Sequence, residues 1–278
     1  LEQRFCEAVI EPTGATADAF GNYWLDVLTP EDEHSPVMWS CHTDTVHSKP
    51  IKAAVQYDGR YLELHPNSSA SCLGADCGTG IWIMLEMIKA QVPGLYIFHR
   101  AEEVGCQGSR WIRDHAAASL EGIKFAIAFD RKGNDSIITH QASGRTCSEK
   151  FARSLMPFLP GYKLDPTGMY TDTDTYADLI PECTNLSVGY EMAHSSAERQ
   201  DVLHASRLLD YVKQIDQSKL IVDRDPTVAA FDRYGWSTWD EPTDLEGWVR
   251  ANPGAAAAIL EDIGFDFREC TRLWGPCS

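Results

Sequence analysis

No apolar run in this chain approaches the roughly 20 residues that a membrane-spanning helix needs, which argues against that kind of bilayer partner. The opening stretch, LEQRFCEAVIEPTG, also lacks the charged-then-apolar layout of a secretory signal. Basic residues are scarce: 24 Lys and Arg against 41 Asp and Glu leave a formal charge of −17. Neutralising phosphates requires positive charge, so a nucleic-acid partner is disfavoured; bound divalent cations would offset part of the acidic excess. No low-complexity tract and no long block of like charge interrupts the sequence. Cysteine is present in an odd number, nine, which does not suit a fully bridged secreted protein, and a reducing cytoplasm is the expected compartment.

What is present is a chain of 278 residues with 44% hydrophobic side chains, enough to bury a sizeable core. Composition divides it into a main domain, residues 1–230, and a tryptophan-rich C-terminal extension, residues 231–278, expected to be helical and packed on that domain. Residues 1–28 read as two helices separated by a turn at EPTG. SPVMWSCHTDTV reads as a strand running into a polar loop, and the stretch from Ile51 to Pro66 as a hairpin turning at Asp58-Gly59. CGTGIWIMLEMIKA reads as a helix with a face formed by Trp82, Leu85 and Ile88 or Lys89. The unit LYIFHR, then GCQGSRWIRDHAAASL, then KFAIAF alternates strand, helix and strand, which implies a largely parallel sheet covered by helices. CSEKFARSLMPFL and HASRLLDYVKQI read as further helices, the second closing the main domain. The expected fold class is therefore α/β: a three-layer α-β-α sandwich around a mixed, mostly parallel sheet. Ligands of such sheets collect beyond the carboxyl ends of the strands, and the chemistry-bearing residues of this chain fall at that end.

Five nitrogen and oxygen donors occur in order: His42, Asp76, Glu103, Asp130 and His194. His42 is followed two residues later by Asp44; a carboxylate on the far side of a metal-binding imidazole fixes its tautomer and raises its basicity. The competing reading of Asp44 is an ordinary loop aspartate. Asp76, set among small residues in GADCGTG, could bridge two cations with its two oxygens, or could simply cap the helix that follows. Glu102 and Glu103 are adjacent after a buried strand, so one can bind metal while the other accepts a proton from water; Glu102 is the general-base candidate. The alternative is a solvated acidic pair at a helix start. Asp130 ends a strand and competes with a turn role in DRKGN, and His194 completes the set. Nitrogen and oxygen donors with open positions suit two Zn2+ ions, with Co2+ or Mn2+ as substitutes. Cys77 could be a soft zinc ligand but is read as a neighbour, and His47 as a surface or loop histidine.

In this order, HTDTVH, GADCGTG, AEEVGCQG, FDRKG and TNLSVGYEMAHS resemble the co-catalytic di-zinc exopeptidase superfamily, especially peptidase T-like enzymes and related aminopeptidases and deacylases. The resemblance covers about residues 35–205. It implies that His42, Asp76 and Asp130 serve one metal while Asp76, Glu103 and His194 serve the other. It also implies that Glu102 is the general base and Asp44 the aspartate supporting His42. One departure stands out. Peptidase T and its nearest relatives insert a lid domain before the last histidine, whereas here residues 131–193 leave no room for one.

The expected reaction is metal-assisted hydrolysis of an amide, by an aminopeptidase acting on short peptides or, alternatively, by a deacylase of N-acyl amino acids. A metal-binding domain without activity is the remote alternative, and the intact Glu102 speaks against it. Asp172 and Asp174 in TDTDTYADL could hold a substrate amine, or Arg110, Arg113 and Arg145 a free carboxylate. His140, Tyr170, Tyr176 and Tyr190 could assist the oxyanion. Homo-oligomer formation is expected, since the compact relatives often assemble.

Overall fold

Alternating side chains of the central strands enter two different cores, and that alternation builds the three layers. In a computed structural model, which describes residues 2–28, 35–47 and 52–228, strands β1 (Thr16–Ala17), β2 (Tyr23–Val27), β3 (Val37–His42), β4 (Val55–Tyr57) and β5 (Tyr61–Leu64) precede β6 (Gly94–His99) and β7 (Phe125–Arg131). They are followed by β8 (Ser136–Ile138), β9 (His140–Gln141), β10 (Gly144–Arg145), β11 (Lys163–Asp165), β12 (Glu182–Ser187), β13 (Tyr190–Glu191) and β14 (Arg199–Asp201). The helices are α1 (Glu2–Val9), α2 (Ala75–Lys89), α3 (Gln107–His115), α4 (Glu149–Leu155) and α5 (Val202–Val212). Trp39, Phe98 and Phe129 face a core shared with α1, α2, α4 and α5. Met38 and Ile97, each one residue away, and Ala126, three residues before Phe129, face a second core with Ile112 of α3. A strand residue and its neighbour point to opposite faces, so strands buried on both sides read as near-continuous apolar runs.

The main sheet has the order β1-β2-β6-β3-β7-β12-β8-β11. The four neighbours β6, β3, β7 and β12 run parallel, while β2 pairs antiparallel with β6. All four parallel strands therefore end at one edge. A smaller antiparallel sheet, β13-β14-β5-β4, lies beside it, and the expected hairpin at Asp58-Gly59 joins its β4 and β5.

Two expectations are corrected. The second helix expected through ADAFGNYWLDVL, residues 17–28, is instead the end of β1, a turn and β2. Asp18 accepts hydrogen bonds from the N–H groups of Phe20, Gly21 and Asn22, and Gly21 takes a φ of 104°. That turn breaks any helix, and the aromatic and β-branched residues after it pair with β6. In α2, Trp82 is 40% exposed; the buried residues include Ile81, Ile83, Met84, Met87 and Ile88. The extension expected at 231–278 lies outside the described residues. Among those that are described, no helix is long and apolar enough to cross a membrane.

Candidate active site

The parallel strand ends carry the predicted donors to one place. His42 is the last residue of β3, Glu102 and Glu103 follow β6, and Asp130 is the penultimate residue of β7. Asp76 enters from the first turn of α2, and His194 from the segment between β13 and β14. Asp76 Oδ1 lies 2.9 Å from His42 Nε2, and its other oxygen, Oδ2, lies 3.3 Å from His194 Nε2. On the first side, Asp130 Oδ1 is 3.3 Å from His42 Nε2. On the second, Glu103 Oε1 is 3.0 Å from His194 Nε2. One carboxylate thus faces two imidazoles, and each imidazole has a second carboxylate of its own. The helix-capping alternative for Asp76 fails, because both its oxygens are engaged with histidines.

Asp44 works differently from the simplest expectation. His42 Nδ1 lies nearest to the Asp44 carbonyl oxygen, at 3.0 Å, with the carboxylate at 3.4 Å. The two carboxylate oxygens accept from the N–H groups of Glu102 (3.0 Å) and Glu103 (3.1 Å). Asp44 therefore ties the acidic pair to the first histidine. Ala101 (φ 59°) and Cys106 (φ 52°) bracket that pair, and His194 itself has φ 63°. Non-glycine residues in this region cost energy and persist where the surroundings hold them.

The electrostatics follow from burying acids together. Burial resists charge on His42, but the carboxylates of Asp130 and Asp44 outweigh it and push its pKa well above the ordinary value. Hydrogen bonds to Asp76 and Glu103 push His194 up to about 11. Burial works against the Asp76 carboxylate, yet the two imidazoles hold it well below the usual range. Glu102 goes the other way: burial first, then Asp130, Asp172 and Glu103, push it up to about 9 against the pull of His42. Burial likewise raises Asp130 to about 6.

Whether a divalent cation suits these residues can be judged from the donors. Three carboxylates and two imidazoles converge, and among the described residues the only cationic partners paired with those carboxylates are the imidazoles themselves. The ligand atoms of His42, Asp76 and Glu103, and those of His42, Cys77 and Asp130, lie close enough together to hold an ion. Cys77 is the weaker donor of the second group. Its thiol donates to the Phe129 carbonyl at 3.1 Å, and burial keeps it protonated, whereas a metal takes the thiolate.

The family model for peptidase family M28 matches residues 25–177, from β2 through the segment carrying Asp172. The chain belongs to peptidase family M28. It is accordingly a hydrolase of the metallo-exopeptidase type. No curated protein sequence matches this M28 peptidase. Solved structures of similar fold include the aminopeptidase PepT from Bacillus cereus ATCC 10987, at 15% identity over 78% of this chain and 93% of that one, TM-score 0.64. A tripeptidase from Staphylococcus aureus subsp. aureus Mu50 gives 14% identity over 78% and 92%, TM-score 0.62. The Pyrococcus horikoshii TET1 peptidase, described as assembling into a tetrahedron or a large octahedral shell, gives 14% over 76% and 93%, TM-score 0.58. At such identities the likeness is one of fold.

Other residues of the M28 peptidase depart from expectation. Asp172 and Asp174 are buried rather than presented to a substrate: Asp174 accepts from the backbone N–H and hydroxyl of Ser143, and Asp172 Oδ2 lies 3.5 Å from His99 Nδ1. Burial raises Asp172 to about 7 and keeps His99 neutral, near 3. Tyr176 is buried against His99 Nε2 at 2.9 Å. Tyr190 does touch the site, donating to the Asp130 carbonyl at 2.9 Å. Arg110 is engaged with Tyr170, and Arg113 with Asp178. His47 lies exposed in the loop after β3, as expected, with Nδ1 3.1 Å from Cys72 Sγ.

Sequence reading missed several supporting residues. Thr171 donates to Asp130 Oδ2 at 2.7 Å, and Asn185 accepts from the Asp130 N–H at 2.9 Å. Asn22, fully buried, accepts from the Arg100 N–H and donates to the Gly108 carbonyl, closing the loop that carries Glu102 and Glu103. Only the periodicity-breaking polarity of Asn22 and Thr171 hinted at such roles.

Proposed function

We propose that this M28 peptidase is an aminopeptidase acting on short peptides with two divalent metal ions, most naturally zinc. The observation that carries the reading is the Asp76 carboxylate, whose two oxygens face two separate imidazoles. His42, Asp76 and Asp130 would hold one ion, and Asp76, Glu103 and His194 the other. When bound, such ions polarise the scissile carbonyl and acidify water. The chain's own residues do the rest. Glu102, adjacent to the donors but in no ion pair with either imidazole among the described residues, takes the proton from the attacking water and returns it to the departing amine. Asp44 keeps Glu102 and Glu103 in register with His42 through its two N–H acceptors. Thr171 and Asn185 fix the rotamer and backbone of Asp130.

The names of the PepT and tripeptidase neighbours support a free-amino peptide as substrate. Arg110 is engaged with Tyr170 and Arg113 with Asp178, which leaves Arg145 as the third of the arginines that a deacylase's carboxylate clamp could use. Assembly into a homo-oligomer is part of the proposal, supported by the shells described for the Pyrococcus horikoshii TET1 peptidase, and gel filtration with light scattering tests it. A reducing, cytoplasmic setting is also proposed, supported by the buried free thiols of Cys41, Cys72, Cys77 and Cys106. The substrate assignment is tested by offering the zinc-loaded protein matched free-amino peptides and N-acyl amino acids, with the metal-free protein as control. Cleavage confined to the free-amino set is expected; cleavage confined to the N-acyl set would replace aminopeptidase with deacylase.

A further inference from the structure

Glu198 is a carboxylate that the reaction does not use, yet it is 1% exposed and close to the site. Its Oε2 accepts from the N–H groups of Leu73 (2.7 Å) and Gly74 (2.9 Å), and its Oε1 from those of Ala75 (2.8 Å) and Asp76 (3.1 Å). Four consecutive backbone donors thus converge on one side chain from more than 120 positions away in sequence. These N–H groups lie just before and within the first turn of α2, ahead of and at the break where Asp76 and Cys77 leave helical geometry, and the N-cap, Gly74, supplies no side-chain acceptor. A negative charge is favoured at that terminus.

The arrangement reaches further than a helix cap. One of the four donors belongs to Asp76 itself, and Asp76 leaves helical geometry at that residue (φ −87°, ψ 104°). The direction in which its carboxylate leaves the chain therefore depends on what holds the peptide units of 73–76. Glu198 also lies in the segment that carries His194, just before β14. Two residues on, Gln200 accepts from the Thr79 hydroxyl of α2 at 2.6 Å, a second tie between the same two segments. His194, 39% exposed at its side chain, is itself held by Asp76 and Glu103.

We propose that Glu198 is a positioning residue for the shared carboxylate: seated on the N–H groups of residues 73–76, it sets the aim of Asp76 and couples it to the loop that presents His194. The inference rests on the reading of Asp76 as a bridging ligand. Supporting carboxylates of this kind, one step removed from the metal, typically change metal affinity by about 10–100-fold when altered.

The test compares wild-type protein with Glu198→Gln, which keeps the shape but offers one acceptor oxygen and turns an NH2 group toward two N–H donors. Cobalt affinity, the visible spectrum of bound cobalt, and the unfolding of the metal-free protein are measured together. We expect E198Q to keep its circular dichroism while cobalt affinity falls about 10–100-fold at both positions, with an altered spectrum. A folded E198Q with wild-type affinity and spectrum would overturn the proposal. Should E198Q fail to fold, Glu198→Ala in acetate decides, because acetate replaces the CH2–COO− that the substitution removes. Recovery of cobalt affinity in acetate but not in chloride is expected, and equal affinity in the two salts would overturn it. Wild-type protein that bound no cobalt would instead sink the metal reading on which the proposal rests.

Discussion

Asp76 Oδ2 lies 3.3 Å from His194 Nε2 while the other oxygen of the same carboxylate is engaged 2.9 Å away by His42. Because one side chain serves both halves of the site, its removal should not be felt on one side only. Asp76→Ala is expected to lower bound metal at both positions after dialysis, read by elemental analysis per chain. Loss of one ion with normal retention of the other would argue against a shared carboxylate.

Glu102 is paired with neither imidazole among the described residues, and burial beside Asp130, Asp172 and Glu103 gives it a strong hold on a proton in the metal-free protein, with a pKa of about 9. Glu102→Gln should therefore keep the metals and lose turnover by about 10²–10⁴-fold, the usual range for a general acid–base. Initial rates and metal content measured on the same preparation check this; near-normal turnover would remove Glu102 from the mechanism.

His42 and His194 are both pushed above neutrality by their carboxylate neighbours, His194 to about 11. At pH 7–8 the metal-free site therefore holds protons where ligands must be neutral, and metal binding must release them. Affinity should rise with pH. Calorimetric titrations in buffers of different ionisation enthalpy should give an apparent binding enthalpy that tracks the buffer, with net proton release; enthalpies independent of the buffer would contradict the arrangement.

Stability of the metal-free protein should show the same imbalance. Asp130, Asp172 and Glu102 are raised to about 6, 7 and 9, so the folded state binds protons more tightly than the unfolded chain. Such groups contribute fully below their unfolded values, near pH 4, and the contribution disappears as pH rises through the folded ones. His194 extends the loss towards pH 11. Asp76 and Asp44, both lowered, act oppositely and fail only on the acid side. In chelator, the thermal midpoint should be higher at pH 5.5 than at pH 8.5, and the reverse order would be inconsistent with these buried acids.

Gly80 shows why the segment after Asp76 needs small residues. A Cβ there would lie 2.2 Å from the Phe129 carbonyl oxygen, backbone that cannot swing aside, whereas one at Gly78 meets nothing within 4 Å. Gly80→Ala should destabilise by about 1–3 kcal/mol through overpacking of α2 on β7. Gly78→Ala, in the same helix, should be neutral or mildly stabilising. Denaturant unfolding of the pair gives the comparison, and equal midpoints would show that the helix can shift freely.

The donors were legible in the sequence because strand ends punctuate it: LYIFHR and KFAIAF announce themselves as buried strands, and polar residues just past them stand out. The turn at Asp58-Gly59 was legible for a similarly local reason. Residues 17–28 misled because the deciding feature was the Asp18 side chain folding onto three backbone N–H groups, which no periodicity reports. Trp82 misled by size, since a large apolar side chain at helical spacing can still lie on the solvent side. Glu198 left no signal at all: its partners are backbone groups distant in sequence, and backbone donors have no residue type to recognise. Asp172 and Asp174 looked available to a substrate amine for the same reason, because their burial depends on where the 3₁₀ turn Asp172–Tyr176 places them in the finished fold.

The most direct test of the two-metal account is anomalous diffraction from crystals of the zinc-loaded protein. The account predicts two zinc peaks, one held by His42, Asp76 and Asp130 and the other by Asp76, Glu103 and His194. A single peak, or two that do not share Asp76, would contradict it.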